Sequence, residues 1–402
     1  MKKILDNKVI NITIIVILML IGFGSISYGG YMVVQNLSYS KSTNTDWESI
    51  KSVFDHNRIN LAKNSDLHLI YPATNNQVKD INKYPNKTYN LKDRYYGVEF
   101  LTTYDDNFCI YLTLSTRGIN NVPKSKQKNG TYCIKKGANN SEKFASSGTF
   151  KKIEYGHGND ATYNPNTNKY IIADNSSGSY SYVSSGMTVD STEKTKMNSK
   201  GSNGTIAYNN DIYNINNETI CEADNKDFCS FYFMGVGDEV RLLKLDGSAI
   251  NPAYTFKTKF DYSKKKIINQ TIEYHKGYIY RVYSIVPKSN KNGGYGVIDV
   301  YNAKLNPDGS KTMDYGKHVA TLWANFLTSS INKKEPSSID NTRTRHELEA
   351  VSFPDKDSKY MYILTHARRY NSKGSEVNRY PYIYKVDLTT ITSNITDINL
   401  ME

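Results

Sequence analysis

Several catalytic signatures are missing from this 402-residue sequence. It has no G-x-S-x-G nucleophile elbow and no phosphate-binding P-loop, which argues against an α/β-hydrolase and a P-loop NTPase. The zinc-protease motif H-E-x-x-H is also absent, because the segment His346-Glu-Leu-Glu-Ala lacks the second histidine. No single motif therefore names a reaction, and a site has to be located through the fold.

Dense basic runs are scarce as well, although the formal net charge is +12. Lys264-Lys-Lys266 and Lys124-Ser-Lys-Gln-Lys128 have no interleaved aromatic residues and are typical of solvated loops. His366-Ala-Arg-Arg369 is a further candidate for a basic patch on one face of the fold. We predict no nucleic-acid partner, because a basic exported chain favours an acidic envelope polymer or a lipid surface.

The N-terminus carries basic residues in front of an apolar stretch. Lys2, Lys3 and Lys8 precede the apolar residues 10–34. This order is typical of a secretory signal or a membrane anchor, so we predict a signal peptide or transmembrane helix at 1–34. We therefore predict a bacterial protein whose residues after this segment are extracytoplasmic, whether it is membrane-anchored or secreted.

The polar residues 35–60 are expected to form a linker, followed by one domain at 61–402. Four cysteines occur, and they fit the oxidising compartment of an exported chain. They fall as two local pairs, Cys109 with Cys133 and Cys221 with Cys229, and we predict one disulfide in each pair. A zinc site is the alternative, but the chain has no C-x-x-C motif.

A repeated pair of strand-like segments is the clearest pattern that is present. A short strand, a turn and a strand rich in Tyr, Ile and Val recur, with Tyr occurring 34 times in the chain. Inner strands of this kind lie near residues 97, 160, 205, 271 and 348. They predict an all-β fold, a β-propeller of five blades, or of six if residues 60–95 or 310–340 contain another blade. A pair of β-sandwiches is the alternative.

Three local features refine this prediction. Residues 174–204 are rich in Ser, Gly, Asn and Thr, which predicts a long mobile loop. Asn306-Pro-Asp-Gly309 predicts a tight turn, and His318–Trp323 is a candidate fourth strand of its blade.

Two polar segments precede or overlap the predicted inner strands, at residues 155–160 and 345–349. Because inner strands surround the central channel of a propeller, we expect these polar side chains to converge there. The candidate ligand-binding residues are His157, Asn159, Asp160, Glu273, His346, Glu347 and Glu349. No catalytic residue is assigned.

Three roles are open for this set. Asn159, Asp160 and Glu349 offer the hard oxygen ligands that Ca²⁺ prefers. A histidine beside a carboxylate could instead act as a general base. The third possibility is that these polar groups fill the channel and hydrogen-bond one another.

The run Gly156–Tyr163 and the run Arg345–Phe353 resemble blade-start motifs of the helveticin J-like family, which are exported proteins of the class III bacteriocin type. This resemblance implies a five-bladed propeller that binds the cell envelope, and it carries over no catalytic residue. A second resemblance is to calcium-dependent six-bladed lactonases of the paraoxonase and gluconolactonase type. In that comparison Asn159, Asp160 and Glu349 would be the channel ligands.

We therefore expect an exported or membrane-anchored cell-surface propeller that binds an envelope glycan or polymer, with bacteriocin-like activity. The alternative is a calcium-dependent hydrolase of the lactonase type with a metal site in the channel. A scaffold with an inert channel is the third interpretation.

Overall fold

The structure of the chain is a computed structural model, and the described residues fall within residues 58–389. The predicted signal or anchor, and also His157, Asn159, Cys221 and Cys229, lie outside the described residues. Among those described, no helix is long and apolar enough to cross a bilayer. The described residues are 58–61, 67–72, 74–77, 79–80, 96–104, 107–114, 130–136, 144–152, 160–164, 169–174, 179–184, 189–196, 205–208, 232–236, 238–243, 252–258, 267–285, 295–326, 343–354, 357–370 and 376–389.

The strands form five sheets, numbered here in chain order. Sheet 1 contains β3 (Tyr96–Tyr104), β4 (Asn107–Leu114), β5 (Gly130–Lys135) and β6 (Thr149–Lys152). Sheet 2 contains β7 (Asp160–Asn164), β8 (Lys169–Asp174), β9 (Ser179–Ser184) and β10 (Val189–Lys196). Sheet 3 contains β11 (Thr205–Tyr208), β12 (Tyr232–Val236), β13 (Glu239–Leu243) and β14 (Phe256–Lys257), with a 3₁₀ turn at Pro252–Tyr254.

Sheet 4 contains β15 (Ile267–His275), β16 (Tyr278–Ile285), β17 (Tyr295–Asn302) and β18 (His318–Asn325). Sheet 5 contains β19 (Arg343–Ser352), β20 (Tyr360–Tyr370) and β21 (Glu376–Asp387). Two strands from the N-terminal part complete these two sheets. β1 (Arg58–Asn60) pairs in parallel with β18, and β2 (His68–Tyr71) pairs antiparallel with β21.

The first strands of the five sheets contact one another in a closed cycle, in the order β3, β7, β11, β15, β19 and back to β3. Each sheet then runs outward as an antiparallel meander. Radial repetition of small antiparallel sheets is typical of a β-propeller. The prediction of an all-β, propeller-like fold is therefore confirmed at this level.

Tyrosine supplies much of the buried core. Tyr71, Tyr111, Tyr132, Tyr280 and Tyr283 are among the largest fully buried side chains. A tyrosine ring covers a large apolar area on the face of a sheet, which explains why an all-β chain with two tryptophans carries so many tyrosines.

Three of the first strands contain a β-bulge. The register shifts between Val98 and Leu101 in β3, between Asn269 and Ile272 in β15, and between Leu348 and Ala350 in β19. A bulge adds one unpaired residue and changes where the neighbouring side chains point.

Sheets 2 and 4 contain the segments for which the sequence predicts a loop, a turn and a fourth strand. The loop predicted at residues 174–204 is wrong, because β9 and β10 lie there as the outer strands of sheet 2. An outer strand is stabilised by its backbone ladder and needs few apolar side chains, so polar composition did not exclude strands. The predicted fourth strand is confirmed as β18, and the predicted turn is confirmed by Gly309 N–H donating to Asn306 O at 2.8 Å. Three residues of the predicted linker, 58–60, form β1.

Candidate functional site

One group of potential metal ligands stands out among the described residues: Glu347, Glu349 and His366. One ligand atom from each residue lies within 4.8 Å of the other two. All three are buried, with exposures of 8%, 5% and 3% respectively. We call these residues the Glu–Glu–His cluster.

Strand pairing builds this cluster. Glu347 of β19 lies directly opposite His366 of β20. The bulge between Leu348 and Ala350 leaves Glu349 without a residue directly opposite. Its Oε1 lies 3.6 Å from Nδ1 of His366, so the bulged strand brings a second carboxylate to the same imidazole.

Two arginines lie next to the cluster on the same two strands. Arg368 donates from its NH2 group to Oε2 of Glu347 at 2.9 Å. Arg345 lies directly opposite Arg368 in the strand register. The Arg368 side chain is 25% exposed and that of Glu347 is 10% exposed, so exposure increases from the cluster towards the arginines.

The donor set of the cluster is one imidazole nitrogen and two carboxylates. Ca²⁺ prefers six to eight oxygen ligands, whereas a mixed nitrogen and oxygen set suits Zn²⁺, Mn²⁺ or Fe²⁺. Two close carboxylates repel each other when both are ionised, and a bound cation would relieve that repulsion. Three protein ligands would leave further coordination positions for water or a substrate.

The side chain of Asp160 links sheet 2 to sheet 4 through hydrogen bonds. It is buried at the start of β7, where Oδ1 accepts from its neighbour Ala161 N–H at 2.9 Å. Oδ2 accepts from Ile272 N–H of β15 at 3.0 Å, and hydrogen bonds to a carboxylate are among the stronger ones. The calcium site predicted from Asn159, Asp160 and Glu349 stays a prediction, because Asn159 lies outside the described residues.

Glu273 of β15 is partly exposed, but its carboxyl group is surrounded by protein. This burial raises its pKa to about 8, and a hydrogen bond from Tyr274 N–H at 3.0 Å opposes the shift. At neutral pH the group is therefore largely protonated and can donate a proton. Tyr280 lies directly opposite, and burial raises its pKa too.

His346 lies apart from the cluster. Neighbouring residues of a strand point to opposite faces, so the side chains of His346 and Glu347 lie on opposite faces of sheet 5. The His346 ring stacks on Phe326, with ring centroids 5.1 Å apart, and Nδ1 lies 3.3 Å from Oγ1 of Thr365. The structure thus brings Glu347 and Glu349 together with His366, which the sequence marked only as part of a basic patch.

No protein-family model and no curated protein matches the chain. Several solved structures are similar at low identity. A glycosyl hydrolase from Bacteroides ovatus is 9% identical over 74% of this chain and 85% of its own, with a TM-score of 0.34. A calcium-binding protein, regucalcin, from Agrobacterium tumefaciens is 10% identical over 74% and 91%, with a TM-score of 0.34. A luciferin-regenerating enzyme is 10% identical over 73% and 92%, with a TM-score of 0.32. Similarity at this level carries no argument about function, and the description of the fold rests on its own strand pairing.

Proposed function

We propose that the protein is an extracytoplasmic, five-bladed β-propeller that binds a divalent metal ion through the Glu–Glu–His cluster and catalyses a hydrolysis there. The observation that carries this proposal is the convergence of three buried ligand atoms within 4.8 Å of one another. The cyclic contacts of five first strands support the number of blades.

Hydrolysis is the reaction class that this ligand set favours. A metal ion with three protein ligands has positions left for water, and it lowers the pKa of that water towards neutrality. Such an ion would supply the nucleophile from water, so no serine or cysteine nucleophile would be required. This agrees with a sequence that has no nucleophile elbow.

The disulfide between Cys109 and Cys133 supports the extracytoplasmic location. The two cysteines lie directly opposite each other on β4 and β5. Disulfides persist in oxidising compartments and are rare in reducing ones.

Calorimetric titration of the full-length, metal-stripped protein with Zn²⁺, Mn²⁺ and Ca²⁺ tests the metal site. We expect one ion to bind per chain, with Zn²⁺ or Mn²⁺ preferred to Ca²⁺. Glu349→Gln and His366→Gln should each weaken binding by more than about 10- to 100-fold, the loss that follows when only a hydrogen-bond partner of a metal ligand is removed. Glu239→Gln is the matched control, because Glu239 is a partly exposed carboxylate paired with Arg241 on another sheet.

Equal affinities in the wild type and Glu349→Gln would refute the metal site. A panel of p-nitrophenyl esters tests the reaction, and the metal-loaded wild type should hydrolyse at least one of them while Glu349→Gln does not. Metal binding without any such hydrolysis would refute the catalytic part of the proposal.

Binding of an acidic envelope polymer, with bacteriocin-like activity, is the second candidate function. The net charge of +12 favours it, as does the resemblance to helveticin J-like proteins. The full-length protein should sediment with purified bacterial walls, and less so with walls stripped of anionic polymer or at high salt. Equal sedimentation with both wall preparations would contradict this function.

A further inference from the structure

We propose that Arg345 and Arg368 form an oxyanion-binding site beside the Glu–Glu–His cluster, and that the substrate of the centre is a phosphate ester. This inference rests on the proposed metal-dependent hydrolysis and names its substrate class. We call these two residues the arginine pair.

Strand register sets like charges side by side. Arg345 of β19 lies directly opposite Arg368 of β20. Like charges at directly opposed positions of a sheet are destabilising. Glu347 already offsets part of the charge on Arg368, and a bound anion would offset the repulsion that remains.

The arginine pair also has two N–H donors with no acceptor among the residues that the structure describes. The Nε atoms of both arginines are shielded from solvent and have no hydrogen-bond acceptor within the described part of the chain. Buried polar atoms in native proteins are nearly always paired, and an exception calls for a ligand, an ion or a water. A guanidinium presents five N–H donors in a planar fork that matches the oxygens of a phosphate.

The arginine pair lies one step along the strands from the cluster. Arg345 precedes Glu347 by two residues and Arg368 follows His366 by two, so all four share a face of sheet 5. Two residues of a strand span roughly 7 Å, so a phosphate group can lie between a metal ion and the guanidinium groups. Because Arg368 is also the more exposed partner of Glu347, the pair occupies the solvent side of the buried cluster.

The reaction needs no further co-reactant. Glu347, Glu349 and His366 would hold the metal ion, which would supply an activated water; this water would give up a proton as its oxygen bonds to phosphorus. The P–O bond to the alcohol breaks, and the departing oxygen takes up a proton to form the alcohol. The arginine pair would offset the negative charge on the non-bridging oxygens, the role that arginine and metal clamps have at transferring phosphoryl groups.

Arg345 is the residue to change, because Arg368 also contacts Glu347 and its loss would disturb the metal ligands. The full-length, metal-loaded protein is assayed with p-nitrophenyl phosphate, bis(p-nitrophenyl) phosphate and p-nitrophenyl acetate, and titrated with inorganic phosphate. We expect hydrolysis of a phosphate ester that inorganic phosphate inhibits. Arg345→Gln should lower kcat/KM for it by about 100-fold or more, as for other lost oxyanion donors, while its affinity for the metal stays within about threefold.

Two matched variants sharpen the result. Arg241→Gln removes the same charge from a partly exposed arginine of sheet 3 and should leave both phosphate affinity and kcat/KM unchanged. Arg345→Lys keeps the charge but loses the planar fork, so it should recover only part of the phosphate affinity. Melting curves with and without metal establish that each variant is folded.

The outcomes separate this inference from the proposed function. If Arg345→Gln behaves like Arg241→Gln while the metal still binds, the oxyanion site is wrong and the metal centre stands. Turnover of the carboxylic ester alone would overturn the substrate class. If the wild type binds no metal, the proposed function fails, and phosphate binding by the same protein that Arg345→Gln abolishes would still support the oxyanion site.

Discussion

At the residue scale, Glu273 and His275 show how burial moves pKa values in opposite directions on one strand. Burial raises the pKa of Glu273 to about 8. Burial lowers the pKa of His275 to about 4, although its Nε2 lies 2.8 Å from the carbonyl oxygen of Ser358. The His275 ring also stacks on Phe353, with centroids 4.1 Å apart. Each site disfavours the charged form of its residue.

The two shifts make opposite contributions to stability. Folded Glu273 keeps a proton that the unfolded chain loses, so its contribution decreases as pH rises from about 4.5 to about 8. Folded His275 excludes a proton that the unfolded chain binds, so its contribution decreases as pH falls from about 6.5 to about 4. The contributions oppose each other between about 4.5 and 6.5, and only Glu273 acts between about 6.5 and 8.

Glu273→Gln should therefore remove a pH dependence. Between pH 6.5 and 8 the unfolding free energy of the wild type should decrease by up to about 1.4 kcal/mol per pH unit. The variant should lack this part of the slope, because a neutral amide has no proton to lose. Urea denaturation at several pH values measures both slopes, with Glu239→Gln as the control. Parallel slopes in the wild type and Glu273→Gln would contradict the raised pKa.

At the scale of the element, β19 shows what the sequence could predict and what it could not. The inner strand at residue 348 follows from its apolar and tyrosine-rich surroundings, and so does the polar segment at 345–349. The partner of Glu347 and Glu349 does not follow, because it depends on the register with β20 and on a bulge. A shift of one residue exchanges the two faces of a strand, so the register decides which side chains meet. The sequence alone places His346 beside the glutamates because they are neighbours in the chain, and it does not reveal that His366 of β20 lies next to them.

The hairpin of β4 and β5 gives the opposite case. Cys109 and Cys133 lie on consecutive strands, which usually pair with each other, and the predicted disulfide between them is confirmed. The same reasoning from sequence separation predicts a bond between Cys221 and Cys229, which lie outside the described residues. Outer strands such as β10 were missed because their polar sequence has no apolar alternation to detect.

At the scale of the whole molecule, strands from near the N-terminus complete the last two sheets of the cycle. β2 completes sheet 5 beside β21, and β1 extends sheet 4 beside β18, so residues near the N-terminus join the last sheets. The sequence allows a sixth blade within residues 60–95, but the strand described there, β2, completes sheet 5. Closure depends on pairing between the two ends of the domain, and the local pattern of a four-residue strand does not reveal its distant partner.

Tyr71→Ala tests this closure. Tyr71 is fully buried at the end of β2, where its hydroxyl donates to Tyr132 OH at 3.4 Å and its ring packs against Phe144 with centroids 5.8 Å apart. Tyr132 of sheet 1 in turn donates to Oδ2 of Asp80 at 2.8 Å, so the Tyr71 side chain of sheet 5 is one of the contacts that hold sheets 5 and 1 together.

Truncating a large buried aromatic side chain costs about 3–5 kcal/mol, a large part of the roughly 5–15 kcal/mol that stabilises a typical protein. We expect the urea midpoint of the whole unfolding transition to decrease accordingly, because the five sheets unfold together and one contact between sheets 5 and 1 is lost. Met313→Ala is the control: Met313 is 89% exposed, and its loss should change stability by no more than about 0.5 kcal/mol. If Tyr71→Ala unfolds sheet 5 in a separate early transition while the other sheets keep the wild-type midpoint, the sheets are independent units and the closed ring does not stabilise the molecule as a whole.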